Sequence, residues 1–258
     1  MKLLAGLRQN QLRRKRFGRY LLYALGEVVL IVIGILIAIW INNRNEADKA
    51  KQFSGVMLQE MLKDLASDTL YLSKGLERLE QHMAVEEWVL SKTSYQPQDV
   101  DSLLMWFKGG RWTFWVNERS FQKIQFASAS GLTGYEELYP RVSNYYTVTQ
   151  KRMQQLSELE QRATEQGSNL EQVLYQTLEV SGSFFNDYSN FTLEVDFPVS
   201  GESRPLGPFL EEMASVESRN FLRKTYARHM FVFLSFTDCK AQARRLIKEI
   251  EATLKNDV

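Results

Sequence analysis

Residues 26–40 read GEVVLIVIGILIAIW, a run in which Glu27 is the single charged side chain. Whether this run spans lipid, is cleaved away or lies in a protein core decides the architecture of everything after it. Residues 28–41 alone rise only ~21 Å as a helix, short of a hydrocarbon layer ~30 Å thick. Extended back through residues 20–25 the helix reaches ~33 Å, which spans. Tyr20 and Tyr23 then mark one membrane interface and Trp40 the other, where aromatic belts sit.

The flanks give an orientation. Lys2, Arg8, Arg13, Arg14, Lys15, Arg16 and Arg19 precede the run and no acid does. The positive-inside rule therefore predicts a basic cytoplasmic segment over 1–19, a transmembrane helix over 20–42 and a periplasmic domain over 43–258. A cleaved signal peptide would have an apolar region of about 7–15 residues closed by a small-x-small site. Here the run is longer and ends with bulky Ile39 and Trp40, so an uncleaved anchor is favoured. A buried core helix does not explain the one-sided basic flank.

An ionisable group inside a membrane helix costs on the order of 2–3 kcal/mol, which makes Glu27 a functional candidate. Either it carries a proton or pairs with a cation on a partner helix, or it sits shallow near Lys15 and Arg19. Gly26, Gly34 and Ala38 form, with Leu30, a ridge of mostly small residues every four positions. Such a ridge lets membrane helices pack closely.

The segment 16–49, RFGRYLLYALGEVVLIVIGILIAIWINNRNEADK, resembles the opening of a family of uncharacterised single-pass membrane proteins of Gram-negative bacteria. Members of that family read like KYxxYAxGEIxLVxIGILIAxxINNWNE. Tyr23, Gly26, Glu27, Gly34, Ile35, Leu36, Ile37, Ala38, Ile41, Asn42, Asn43, Asn45 and Glu46 match. Arg44 stands where the family usually has Trp. The stretch SFQKIQFASASGLTGYEELYPRVSNYY (120–146) is similar to a later family segment. The resemblance implies an inner-membrane anchor carrying a helical periplasmic domain, and implies no activity.

Composition agrees with one membrane segment on a water-soluble body: 44% hydrophobic, 24% charged, mean hydropathy −0.32. Of 32 basic residues, seven precede residue 20, leaving 25 against 31 acids, so the body is near −6. Nucleic acid is not an expected partner of an acidic body. The bilayer is, together with another envelope protein or a second copy of the chain. The lone Cys239 allows neither an intrachain disulfide nor a thiolate metal site. His82 and His229 are the two histidines, too few for an imidazole-rich centre, so no metal and no cofactor is expected.

Past the anchor the pattern is helical. Leu58, Leu62, Leu65, Thr69, Leu72, Leu76, Leu79, Met83, Glu86 and Leu90 step by fours and threes, a heptad seam with polar exceptions at Thr69 and Glu86. SKTSYQPQ (91–98) breaks it. A short helix ending at Gly109-Gly110, one over 117–129, and two opened by the pairs Thr133/Glu136 and Ser168/Glu171 follow. Pro140 either kinks a helix or restarts it. Phe191, Leu193, Val195 and Phe197 alternate with polar residues as one extended segment, and a last helix runs over 216–255 with an interruption expected near Thr237-Asp238. The expected fold is mainly α: a single N-terminal transmembrane helix followed by an antiparallel helical bundle with one short extended segment.

Candidates for chemistry are few. Trp106, Phe107, Arg111, Trp112 and Trp115 form a candidate aromatic binding patch, with core packing as the bland alternative. His82 and His229 have no local nucleophile or carboxylate arrangement and are expected to pack or face solvent. The ASASG stretch (127–131) lacks the glycine that a nucleophile elbow needs before its serine, and no phosphate loop, zinc motif or calcium loop is present. Catalytic residues are not expected. The sequence thus predicts a membrane-anchored interaction, scaffold or sensory module, with an accessory subunit of an ion-driven membrane complex, working through Glu27, as the alternative.

Overall fold

In a computed structural model of the chain, residues 3–107, 112–127, 131–165, 169–179 and 205–256 are described, with side chains from residue 23 onward. Among these residues all regular structure is helical. The chain divides into two units, residues 1–54 and 55–258. Helix α1 (Leu3–Ser91) runs through the first and on into the second.

In the first unit, every described side chain from 23 to 49 is exposed. Val28 is 58%, Leu30 71% and Ile37 53% exposed. An apolar surface all round a helix has no protein to cover it here, which is the condition of a helix made for lipid.

The second unit is a helical bundle. After α1 come a 3₁₀ turn (Pro97–Asp99), α2 (Val100–Phe107), α3 (Arg119–Ala127), α4 (Tyr139–Asn144), a π-helical turn (Tyr145–Thr149), α5 (Gln150–Glu165), α6 (Asn169–Thr177), α7 (Gly207–Ala214) and α8 (Val216–Lys255). Cross-helix pairs set the directions. Tyr226, His229 and Phe236 of α8 meet Glu87, Glu86 and Gly75 of α1, so the two run antiparallel. Arg152 pairs with Asp238 and Arg228 with Glu160, so α5 is antiparallel to α8. In the same way Asn117, Ser120 and Lys123 meet Asp68, Asp64 and Glu60, laying α3 antiparallel to α1.

The seam of α1 holds Met83 buried as the apolar pattern expects, and departs from that pattern at Leu62, Thr69, Leu76 and Leu90. Leu58, Met61, Leu65, Asp68, Leu72, Gly75, Leu79, Glu86 and Val89 are buried, and His82 lies between Leu79 and Glu86 with its side chain 9% exposed. Leu62, Leu76 and Leu90 are only half-buried. The reason is volume and polarity on the facing helices. A Cβ at Gly75 would stand 3.3 Å from the Phe236 ring, so a leucine there has no room. Asp68 is inward because two donors meet it there, the Asn117 amide and the Tyr145 hydroxyl. A search for large apolar residues passes over both.

Helix ends are satisfied from across the bundle. At the C-terminus of α1, Tyr95 donates to the carbonyl of Val89 at 2.8 Å and Arg219 donates to those of Leu90 and Lys92. These are carbonyls the helix itself leaves unpaired, and the cation suits the negative end of its dipole. Ser215 caps α8 by accepting from the Ser218 amide at 3.1 Å. Pro140 stands in the first turn of α4, so it restarts the helix rather than kinking one. Before it, Gly131 adopts φ +81°, and a side chain there would strike the Tyr139 ring. Helix α8 is continuous through Thr237 and Asp238, the interruption expected there being absent. The alternating stretch 191–197, Gly109-Gly110 and Ser168 lie outside the described residues.

Two apolar cores result. One joins α1, α3, the α4–α5 helix and α8 around Leu58, Leu65, Leu72, Tyr146 and Phe236. The other closes the far end of α1 with α2, α6, α7 and the start of α8 around Val89, Trp106, Leu174 and Phe209.

Candidate functional site

Two polar centres lie inside this bundle, and their chemistry differs. The first is built on Asp64 and Asp68, one turn apart on α1. Asp64 accepts from the Asn117 side chain at 3.0 Å, from the Ser120 amide at 3.1 Å and from the Ser120 hydroxyl. Asp68 accepts from the Asn117 amide at 3.1 Å and from Tyr145 Oη at 2.9 Å. Both carboxylates therefore cap the N-terminus of α3, where negative charge is favoured. Burial still dominates at Asp68 and pushes its pKa up to about 6, against the donors that pull it down. Tyr145 Oη also stands 4.0 Å from Cys239 Sγ. Burial pushes that thiol up to about 12, so it is a small buried apolar group and not a nucleophile. The donors and acceptors of this centre are matched, which is what a structural cluster looks like.

The second centre gathers residues from three helices: His82 and Glu86 from α1, Glu160 from α5, Arg228 and His229 from α8. His82 and Glu86 are four apart and share a helix face. His229 Nδ1 lies 2.8 Å from Glu86 Oε1, and His82 Nε2 lies 3.6 Å from the same oxygen. Arg228 Nε donates to Glu160 Oε1 at 2.6 Å, and Glu160 Oε2 lies 3.9 Å from His229 Nε2. Glu86, Glu160 and His229 are 1%, 0% and 3% exposed. The Trp112 ring covers the pair of imidazoles, its centroid 6.1 Å from His82 and 6.2 Å from His229. Burial alone would raise the Glu86 pKa, but the hydrogen bond with His229 and the nearby His82 outweigh it and hold the carboxyl below its ordinary value. Glu86 Oε2 is buried with no hydrogen-bond partner. That is costly, because an unmade bond to a buried charged oxygen forfeits more than ~1–3 kcal/mol.

The histidines thus share one buried site, where pattern reading expected packing or surface roles. The sequence signal was slight: a glutamate at a seam position that should be apolar, one turn after a histidine. Its partners are 74 and 143 residues further along, Glu160 and His229, and no local spacing announces them.

The aromatic patch is divided between the two cores. Trp106 and Phe107 are buried in the end core, their rings edge-to-face at 4.6 Å. Trp112 packs against the main core over the histidines. Trp115 is 81% exposed, and Arg111 lies outside the described residues. Glu27, Gly26, Gly34 and Ala38 all stand in the exposed stretch of α1. Apart from the helix's own adjacent backbone, no atom of the described residues lies within 4 Å of where a Cβ on Gly26 or Gly34 would be.

Residues 27–104 match a family of unknown function, DUF6090. The match takes in the exposed apolar stretch, the whole seam of α1, and the His82–Glu86 pair. No curated protein and no solved structure matches the chain.

Proposed function

We propose that the chain is a single-pass inner-membrane protein whose helical body acts in the periplasm as an interaction or sensory module. The observation that carries this reading is the contrast along α1: apolar side chains uncovered on all sides from 23 to 41, then a one-sided seam sealed in a bundle. The basic residues before Tyr20 put the N-terminus in the cytoplasm, beside anionic headgroups. The body then offers exposed features to a partner, Trp115 among them, and buries a few titratable groups, among them Asp68, Glu86, Glu160 and His229. Recognition of another envelope protein by the bundle surface is the role this arrangement supports.

The test uses the silence of Cys239, which is 0% exposed. With Ala252→Cys, an exposed position near the end of α8, a membrane-impermeant maleimide should label the full chain in intact spheroplasts. Labelling that needs lysis would place the body in the cytoplasm and refute the topology.

A further inference from the structure

The geometry points to a binding site for one divalent transition-metal ion in the bundle, with His82 Nε2, a Glu86 carboxylate oxygen and His229 Nδ1 as its ligands. This goes beyond the topological reading and does not depend on it. The three donor atoms lie within 4.8 Å of one another. A tetrahedral ion with bonds of ~2.0–2.1 Å separates its ligands by ~3.3 Å. The observed 2.8 Å and 3.6 Å from Glu86 Oε1 to the two imidazole nitrogens bracket that edge, so small side-chain rotations suffice.

Three features favour an ion over a purely hydrogen-bonded cluster. First, the Glu86 carboxylate is 1% exposed, and a carboxylate so buried is tolerated only where a cation or donors compensate it. Second, a single proton shared between His229 and Glu86 Oε1 still leaves Oε2 without a partner and His82 Nε2 beyond hydrogen-bond reach. One ion takes lone pairs from all three. Third, His229 presents Nδ1 inward while groups behind the ring hold it in place: its Nε2 lies 3.4 Å from Arg228 Nη2 and 3.9 Å from Glu160 Oε2, and Arg228 donates to Glu160 at 2.6 Å.

Two nitrogens and one carboxylate suit first-row divalent ions such as Zn²⁺, Fe²⁺ or Co²⁺ rather than Mg²⁺ or Ca²⁺, which prefer all-oxygen sets. Three protein ligands leave a position for solvent or a further ligand. His82, the least buried of the three, marks the side from which an ion enters.

The experiment is a Co²⁺ titration of the full chain purified in detergent, followed by visible absorption, with bound metal counted after dialysis. The expected result is one Co²⁺ per chain with ligand-field bands and no thiolate charge-transfer band. Glu86→Gln keeps an acceptor for His229 and His82→Ala removes the least buried ligand. Each, checked for folding by circular dichroism, should weaken binding more than ~100-fold, since even outer partners cost 10–100-fold. Absence of bands in the wild-type chain up to millimolar Co²⁺ would overturn the proposal. So would bands that persist unchanged in His82→Ala, or a thiolate band that puts the ion on Cys239.

Discussion

Helix α1 carries two apolar stretches that differ in what surrounds them. From 23 to 41 the apolar side chains cover the whole circumference and stand exposed, Leu30 at 71% and Ile33 at 46%. From 58 to 89 they form one stripe, with Leu58, Leu65, Leu72 and Leu79 at 0% exposure. The charged residues follow the same division. Glu27 stands exposed on α1, whereas Asp68 accepts from Asn117 and Tyr145, and Glu86 meets His229, all from beyond α1. Hydropathy separates the two stretches, reaching a mean of 2.7 over the apolar window of α1, and so does its angular distribution. An all-round apolar helix needs an apolar solvent, and a striped one needs other helices.

The sharpest way to break this comparison is truncation at one site in each stretch. Leu72→Ala should destabilise the bundle by about 2–5 kcal/mol, the cost of a cavity in a sealed core. Ile33→Ala, by contrast, should leave the urea midpoint of the bundle unchanged. Both are read by tryptophan fluorescence of the detergent-solubilised chain. Equal effects would mean that residues 23–41 are part of the folded core.

A second prediction concerns charge in the striped stretch. The Asp68 carboxyl titrates near 3.8 when unfolded and about 6 when folded. A carboxyl with a raised folded pKa binds its proton more tightly in the folded state. Its contribution is therefore full below pH ~4 and is lost as pH rises through about 6. The shift corresponds to about 3 kcal/mol. Burial sets the rise, the hydrogen bonds from Asn117 and Tyr145 oppose it, and the neighbouring Asp64 charge adds to it. Asp68→Asn should gain stability relative to wild type by about that amount between pH 4 and pH 7. A difference independent of pH would show that the carboxyl is ionised throughout.

Much of this fold was legible beforehand. The exposed stretch is apolar all round, the break at 91–98 carries Pro97, and the last helix was placed over 216–255, though without the continuity it has at Thr237-Asp238. The register of the seam was legible at Leu58, Leu65, Leu72, Leu79, Met83 and Glu86, but the inward places of Asp68 and Gly75 were not. Asp68, Gly75 and His82 occupy interior positions because of what faces them: the N-terminus of α3, the Phe236 ring and His229. Those partners come from residues 49 to 161 positions away in the chain, as Asn117 and Phe236 do from Asp68 and Gly75. The histidine–glutamate centre was hidden for the same reason. A polar residue in a heptad reads as an exception until its partner in another helix is known.

The central claim is that residues 20–42 of α1 lie in lipid, and alkaline carbonate extraction of membranes holding the intact chain tests it most directly. The account predicts that the chain stays with the sedimented bilayer, as an integral protein does. Release of the full-length chain into the supernatant would contradict it.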